Sequence, residues 1–522
     1  MLREADFIFY PEQLYNRAFV LKSIVRQMGC RESDISAYRI VRKSIDARKG
    51  VKFNVRLQVA MRGDVFPDLR GNFEFHDVSK SPVVTIIGAG PAGYFAALQC
   101  IMSGLKPVVF ERGKSVDERK FDIAALNSQH ILNPESNYAF GEGGAGTYSD
   151  GKLYTRSKKR GNVTEVLQLL HNFGADEDIL VEAHPHIGTD RLHAIMRNIR
   201  NKILEYGGEI HFSSKLTGIK VVANKVTAVV INGTDEYPCE NLILATGHSA
   251  RDIYYMLNSE GIQLREKGFA MGVRVEHPQA LIDSIQYKCK ERGKYLPAAS
   301  YALVKQVDGR GVYSFCMCPG GKIVSALTEE NTIVVNGMSN SKRNSPYANS
   351  GIVVELRPED YASYSDNKIF SGLEFQRSLE ALAYRNGGGD VVAPAQRLAD
   401  FVSGKISAGL PKVSYEPGVV SSPMHFWMPE FLSRRLREGF RQFDKQMHGF
   451  LTNEAVVVGV ESRTSSPLQV VRDAESMHSV SVSNLYPCGE GAGYAGGIVS
   501  SAVDGMEVVK RLTGRQANCL TD

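Results

Sequence analysis

Val83-Val84-Thr85-Ile86-Ile87-Gly88-Ala89-Gly90-Pro91-Ala92-Gly93 is the stretch that decides the fold. Its first five residues form a short, nearly continuous apolar run, as in a strand buried on both faces. The run leads directly into a Gly-x-Gly-x-x-Gly turn. Residues 94–103 then have helical composition and stop before Gly104, and residues 106–110 return to strand character and close at Glu111. The expected unit is β-α-β with a carboxylate at the tip of its second strand.

The residue types follow from chemistry. Gly88 allows the tight turn, Gly90 lets the backbone approach a pyrophosphate, and Gly93 lets the helix pack on the strand. The helix that starts at Pro91 offers the N–H groups from Ala92 onward and a dipole that favour an anion. Glu111 lies 18 residues after Gly93 and is followed by Arg112. A carboxylate there can accept hydrogen bonds from a ribose 2′-OH and repels a 2′-phosphate. Dinucleotide binding is the reading.

Two distant segments select the dinucleotide. Asn241-Leu242-Ile243-Leu244-Ala245-Thr246-Gly247 is a strand ending in an Ala-Thr-Gly turn, and Leu485-Tyr486-Pro487-Cys488-Gly489-Glu490-Gly491-Ala492-Gly493 precedes Gly496-Gly497-Ile498 and a helix-like segment, 499–512. A nicotinamide-only dehydrogenase completes its site soon after the first half. Flavoproteins of the glutathione-reductase and hydroxybenzoate-hydroxylase type gather theirs from segments placed like these, and the chain resembles them. In that resemblance Ala245, Thr246 and Gly247 lie near the adenosine, and Glu490 faces ribityl hydroxyls. The helix starting near Gly497 points its positive end at the flavin ring. That superfamily has Gly-Asp where this chain has Gly489-Glu490, one methylene longer.

Residues 137–152, Asn-Tyr-Ala-Phe-Gly-Glu-Gly-Gly-Ala-Gly-Thr-Tyr-Ser-Asp-Gly-Lys, are too glycine-rich for regular structure and suit a backbone that wraps a ligand, with Gly146, Thr147, Gly151 and Lys152 as binding candidates. This loop, the Cys488-to-Gly497 turn, Glu461-Ser462-Arg463-Thr464-Ser465-Ser466-Pro467, His186-Ile187-Gly188-Thr189-Asp190 and Gly272-Val273-Arg274-Val275-Glu276-His277-Pro278 together resemble a bacterial family of predicted FAD-dependent dehydrogenases. That family carries a small N-terminal α/β module. The resemblance spans nearly the whole chain and implies one non-covalent FAD per chain on a two-domain flavoenzyme core. Geranylgeranyl reductases, aromatic hydroxylases and flavin-dependent tRNA-modifying enzymes stand further off in the same superfamily.

The wider composition agrees with an ordinary globular chain: 522 residues, 43% hydrophobic, 23% charged, with 49 glycines. Residues 1–80 hold 15 Lys and Arg against 10 Asp and Glu, and residues 81–522 hold 47 of each sign, so the net charge of +5 is all N-terminal. It contains no concentrated Lys/Arg run, and nucleic acid is not the expected partner. The start of the chain lacks the ordered regions of a secretory leader, and no stretch approaches the roughly 20 apolar residues of a membrane span. The eight cysteines lack CxxC or His-Cys spacing, which argues against a zinc site or a disulfide framework and for a cytoplasmic location.

Residues 5–10, 11–28, 35–44 and 51–61 read as strand, helix, strand and strand, a small β-α-β-β module over 1–80, with 63–81 as linker. The fold class is therefore α/β. A Rossmann-like FAD-binding domain is assembled from separated segments (81–266 and 455–522), with an inserted α+β cap domain at 267–454.

The cap should present a small-molecule substrate to the flavin. On its first strand, alternation puts Arg274 and Glu276 on one face, as an ion pair or as groups facing substrate. His277 can donate a proton near neutral pH or serve as a structural histidine. Arg463 can fix an acidic substrate or brace a loop. Cys316 and Cys318 share a strand face and suit core packing or a redox pair. No second strand-Gly-x-Gly-x-x-Gly-helix unit follows, so NAD(P)H is expected only as a transient reductant. The expected function is an FAD-dependent oxidoreductase passing hydride or electrons between flavin and a small molecule. Its alternatives are a flavin-dependent RNA-modifying enzyme and an FAD-holding regulatory protein.

Overall fold

The apolar run of 83–87 becomes a strand, Val83–Ile87, at the centre of a five-stranded parallel sheet. The spatial order is Leu485–Pro487, Leu242–Leu244, Val83–Ile87, Lys106–Phe110, Glu209–His211. Ile87, Leu244 and Pro487 are in register across the three neighbouring strands. Three segments hundreds of residues apart in sequence therefore end side by side, and their following turns emerge at one sheet edge, where open α/β sheets bind ligands. The computed structural model that shows this describes residues 2–155 and 161–514. Cys519 lies outside the described residues.

Helix Pro91–Met102 leaves the first turn almost wholly buried, with Phe95, Leu98 and Ile101 in the core beneath the sheet. Helix Ile498–Leu512 lies against it. A Cβ on Gly505 would come closer than 3.0 Å to the Ala92 carbonyl oxygen, so glycine is what lets these two helices touch. Thr189–Glu205 packs on the same core through Leu192, Ile195 and Ile199.

The second unit is a seven-stranded sheet, ordered Val304–Val307, Arg310–Cys318, Tyr347–Leu356, Phe269–Pro278, Val456–Glu461, Ala393–Arg397, Val419–Ser421. Its strand pairs are antiparallel except the last. Helices Ser371–Asn386 and Glu430–Gln446 supply Phe375, Leu379, Leu436, Phe440 and Phe443 to its core. Val456, Val457 and Val458 are buried in the middle of this sheet. The segment expected to return to the flavin-binding part at 455 thus first contributes a strand to the other unit, because a run of three valines is worth most where both faces are covered.

At the N-terminus, Arg3–Phe9, Ile35–Asp46 and Lys52–Met61 form an antiparallel sheet with the last strand central. The helix expected over 11–28 is two, Pro11–Leu14 and Arg17–Met28, broken where Asn16 accepts from the Phe19 amide and caps the second. Phe9, Val20, Ile24, Phe53 and Leu57 make its own small core. Residues 63–81 carry no helix or strand. The module is tied back at Lys43: its amide donates to Val181 O, its carbonyl accepts from Ala183 N, both at 3.0 Å, and its ammonium lies 3.0 Å from Glu182. Among the described residues no helix is long and apolar enough to cross a membrane.

Candidate functional site

A cavity of about 380 Å³ opens where the turns emerge from the parallel sheet. Gly88, Gly90, Pro91 and Ala92 line it from the first turn, Ala245, Thr246 and Gly247 from the second, and Glu490, Gly496, Gly497 and Ile498 from the third. Steric demand accounts for the glycines. A Cβ on Gly88 would run into the Ala245 carbonyl, and one on Gly93 into the Gly88 carbonyl. Gly497, at φ 119°, faces open space on the cavity side. The first amides to turn back into their helices are Tyr94 N, to Gly90 O at 2.9 Å, and Ser501 N, to Gly497 O at 3.0 Å. The amides before them point their N–H groups forward, so two positive helix ends converge on one space.

Of the residues expected to bind the cofactor, Gly93, Thr147 and Gly489 stand behind the wall and the others line it. Gly93 holds helix to strand, and Thr147 donates to Glu142 O at 3.3 Å. The Gly489 amide donates to Asp504 at 2.8 Å. Glu111 is buried and accepts from the amides of Ala89 (2.8 Å), Gly113 (2.9 Å) and Gly141 (2.9 Å). A carboxylate offers about four acceptor positions, so one remains for a ligand hydroxyl. Arg112 lies over the Phe140 ring at 4.4 Å and pairs with Asp252 at 2.7 Å.

The glycine-rich loop 137–152 is shaped by groups that the sequence did not announce. Arg119, fully buried, donates to Asn137 O at 2.6 Å and to Glu142 O and Gly144 O at 2.9 and 3.0 Å. Burial pushes its guanidinium down to about 10. Glu142 accepts from Tyr94 OH (2.8 Å), Val116 N (2.8 Å) and Arg200 (2.7 Å), and burial raises its pKa. The loop's Gly146 and Gly151 thereby reach the cavity, and a Cβ on Gly146 would press Ile498 at 3.1 Å.

The opposite wall comes from the second unit: Phe315, Cys316 and Cys318 from the seven-stranded sheet, Asn336 and Gly337 from a two-stranded sheet that pairs Gly321–Ser325 with Val335–Ser339, and Arg463 and Thr464 from the segment after Val456–Glu461. Lys152 lines the same space and donates through Nζ to Met317 O. Arg463 donates to Thr328 at 2.7 Å and pairs with Glu380 at 3.2 Å, which also holds Arg251 at 2.9 Å. The two guanidiniums keep the Glu380 carboxyl at about 2 against its burial.

The remaining cap candidates fall elsewhere. Arg274 does not pair with Glu276. Its Nε donates to Glu461 at 2.8 Å and its Nη1 to Asn349 at 2.6 Å, all buried behind Gly337. The neighbouring strand offers a nearer carboxylate than the same strand two residues on. Glu276 instead accepts from Ser414 N at 2.8 Å and from its hydroxyl, and burial pushes it up to about 7. His277 is fully buried, lies tilted against the Phe450 ring at 4.4 Å and donates from Nε2 to Phe450 O at 2.8 Å. Burial pushes it down to about 4. Glu276 and His277 face a separate recess with Tyr347 and Arg397, away from the main cavity. The strand is long enough that its two ends serve different places. Cys316 and Cys318 do not sit in plain alternation either: a bulge between Phe315 and Cys318 opens Cys316 to the cavity and leaves Cys318 buried.

Three family models match the chain. A pyridine nucleotide-disulphide oxidoreductase domain covers residues 82–253, an FAD-dependent protein C-terminal domain covers 268–464, and a domain of unknown function covers 1–60. An uncharacterised protein of Clostridium beijerinckii is 41% identical over 513 residues, covering 94% of this chain and 95% of its own. The chain belongs to the same family, one of FAD-dependent oxidoreductases. A ribosomal RNA dihydrouridine synthase of Haemophilus influenzae is 24% identical over 233 residues, 41% of this chain and 51% of that one. Among solved structures, the tetracycline destructase Tet(51) superposes with a TM-score of 0.33 at 11% identity, covering 84% of this chain and 83% of that one. The halogenase PltM gives 0.37 at 12% identity, covering 83% and 68%.

The residues of this FAD-dependent oxidoreductase fit its cofactor. Two helix ends and the cradle of Gly88, Gly90 and Gly497 suit a pyrophosphate and an adjoining ring. Glu490 keeps its carboxylate at the cavity, 3.7 Å from His248 Nδ1, so the extra methylene relative to aspartate leaves an acceptor in place. His248 is a cavity residue that sequence reading missed. Its Nε2 donates to Arg463 O at 3.2 Å. Arg472, which stands behind the wall, was missed as well: it is bound to Asp504 at 2.6 Å and to Pro487 O at 2.7 Å and fixes the turn that carries Glu490. A lone His or Arg outside a motif carries no spacing signal.

Proposed function

We propose that this protein passes electron pairs between one non-covalently bound FAD and a small molecule admitted on the side of the seven-stranded sheet, which acts as the cap. FAD supplies reversible two-electron chemistry when bound. The observation that carries the reading is the split wall of the cavity: nucleotide-binding turns on one side, and Cys316, Asn336, Arg463 and Lys152 from other segments on the other. Glycine backbones and helix ends hold the pyrophosphate, Glu111 and Glu490 take ribose and ribityl hydroxyls, and Arg463 faces the substrate side as a cation. NAD(P)H, where it acts, docks transiently. An absorbance trace of the anaerobic protein during addition of NADH, NADPH and candidate metabolites tests this. Bleaching of the flavin band by at least one of them supports it, and a flavin band that no donor changes and no acceptor restores points to a regulatory protein.

A second reading has one observation behind it, the partial likeness to the ribosomal RNA dihydrouridine synthase. An RNA-modifying enzyme would use the basic surplus of residues 1–80 on phosphates and bind RNA with an affinity that falls steeply with salt. Co-purifying RNA, or salt-sensitive binding of ribosomal RNA fragments, would favour that reading over a small-molecule substrate.

A further inference from the structure

We propose that Cys316 and Cys318 form a redox-active dithiol that exchanges an electron pair with the FAD bound in the adjoining cavity, an inference that rests on the flavin reading above. Both cysteines line the cavity, Cys316 open to it and Cys318 just behind. The strand Arg310–Cys318 is irregular at this point. Phe315 pairs with Gly351 and Cys318 with Asn349, three residue steps against two, so one extra residue is folded into a bulge. Cys316 occupies the bulge at φ 44°, a left-handed conformation that is strained for a side chain and is held where the surroundings require it.

An extended strand, at roughly 3.3 Å per residue, would hold the two Cα atoms about 6.6 Å apart, near the far edge of the about 4.4–6.8 Å that disulfides span. The Cys318 thiol already turns back and donates to Cys316 O at 3.2 Å. Two cations hold the turn in place. Lys152 Nζ donates to Met317 O, between the two cysteines, and Arg274 donates to Cys316 O at 3.3 and 3.4 Å. Their charge favours the thiolates, while burial holds the Cys318 thiol protonated at rest.

The step balances. Two S–H bonds break and one S–S bond forms. The dithiol gives up two electrons and two protons, and the bound FAD that accepts them is reduced in place. In the other direction the disulfide takes the pair back and hands it to a disulfide or other electrophile in the cavity. Core packing alone explains neither a cysteine open to a ligand cavity nor a left-handed residue at that point.

Anaerobic reductive titration of the purified holoprotein with dithionite, followed at the flavin band, counts the electrons taken up per FAD. Alkylation and peptide mass mapping before and after reoxidation locate the thiols. The proposal predicts four electrons per FAD, a peptide carrying residues 316–318 two mass units lighter and unalkylated in the oxidised protein, and two electrons per FAD for Cys318→Ser with its flavin retained. Two electrons per FAD in the wild type, or alkylation of both cysteines in the fully oxidised holoprotein, overturns the dithiol and leaves the flavin reading standing. A protein that neither carries nor takes up flavin overturns both.

Discussion

Gly505, in the last helix, presses its Cα against the carbonyl of Ala92 in the first helix, with no room for a Cβ between them. This contact fixes the distance between the two helix ends that open on the cavity. Gly505→Ala should force the helices apart, cost about 1–3 kcal/mol of stability as overpacking, and weaken FAD binding roughly tenfold or more. Gly93→Val, which would drive a side chain into the Gly88 carbonyl, should abolish binding. Flavin content after dialysis, with circular dichroism to confirm the fold, checks both. Gly505→Ala binding FAD as tightly as wild type would contradict the account of the site.

Much of this was legible in the sequence because it rests on local chemistry. The buried strand, the glycine turn and the acidic residue at Glu111 each declare themselves within a few residues, and the Ala245-to-Gly247 and Gly489-to-Gly497 turns did so as motifs. What stayed hidden depends on pairings across the chain. Nothing near Arg274 says that its carboxylate is Glu461, 187 residues on. Nothing near Val456 says that its strand belongs to the seven-stranded sheet, and helix-packing Gly505 looks like any helical glycine. His277 misled because a histidine in a motif-like stretch carries no mark of its burial.

Arg274 and Arg463, both candidates for chemistry, should behave differently. Arg463 lines the cavity, whereas Arg274 is buried against Glu461. Arg463→Ala should keep its flavin and slow substrate-dependent flavin turnover about 10²–10³-fold in stopped-flow absorbance. Arg274→Ala should strand the buried Glu461 and lose about 3–5 kcal/mol in urea melts, with partial recovery on adding Glu461→Gln. An Arg274→Ala protein of wild-type stability would show the pair to be dispensable.

His277 and Glu276 predict opposite limbs of a stability profile. The histidine falls from an ordinary 6.5 to about 4 on folding, so the unfolded chain binds the extra proton between those values. Its contribution is complete above pH 6.5 and is lost as pH falls towards 4, by up to about 3 kcal/mol. Glu276 rises from 4.5 to about 7, so its contribution is complete below 4.5 and is lost as pH rises through 7. His277→Gln should flatten the acid limb and Glu276→Gln the neutral limb of urea midpoint against pH, with flavin reduction rates unchanged in both. A slowed flavin reduction in His277→Gln would restore the histidine to the site.

Residues 1–61 have their own core and reach the rest of the chain at Lys43 and through stacking of Tyr15 on Tyr295 at 5.3 Å, whereas residues 69–80 lie along the parallel-sheet unit, with Val78 buried in its core and the Val78 amide donating to Tyr206 O at 2.9 Å. A chain starting near Ser81 should remain soluble and keep its FAD, since none of the cavity residues comes from the module. Light scattering and flavin absorbance check this. Loss of flavin on truncation would place the module in the cofactor fold.

The most direct measurement is the flavin content of the purified protein before and after reconstitution, with acid precipitation to separate free from attached cofactor. Three turns brought into register by one parallel sheet predict a yellow protein with about one FAD per chain, all of it released to the supernatant. A colourless protein that takes up no added FAD, or a flavin that stays with the pellet, would contradict it.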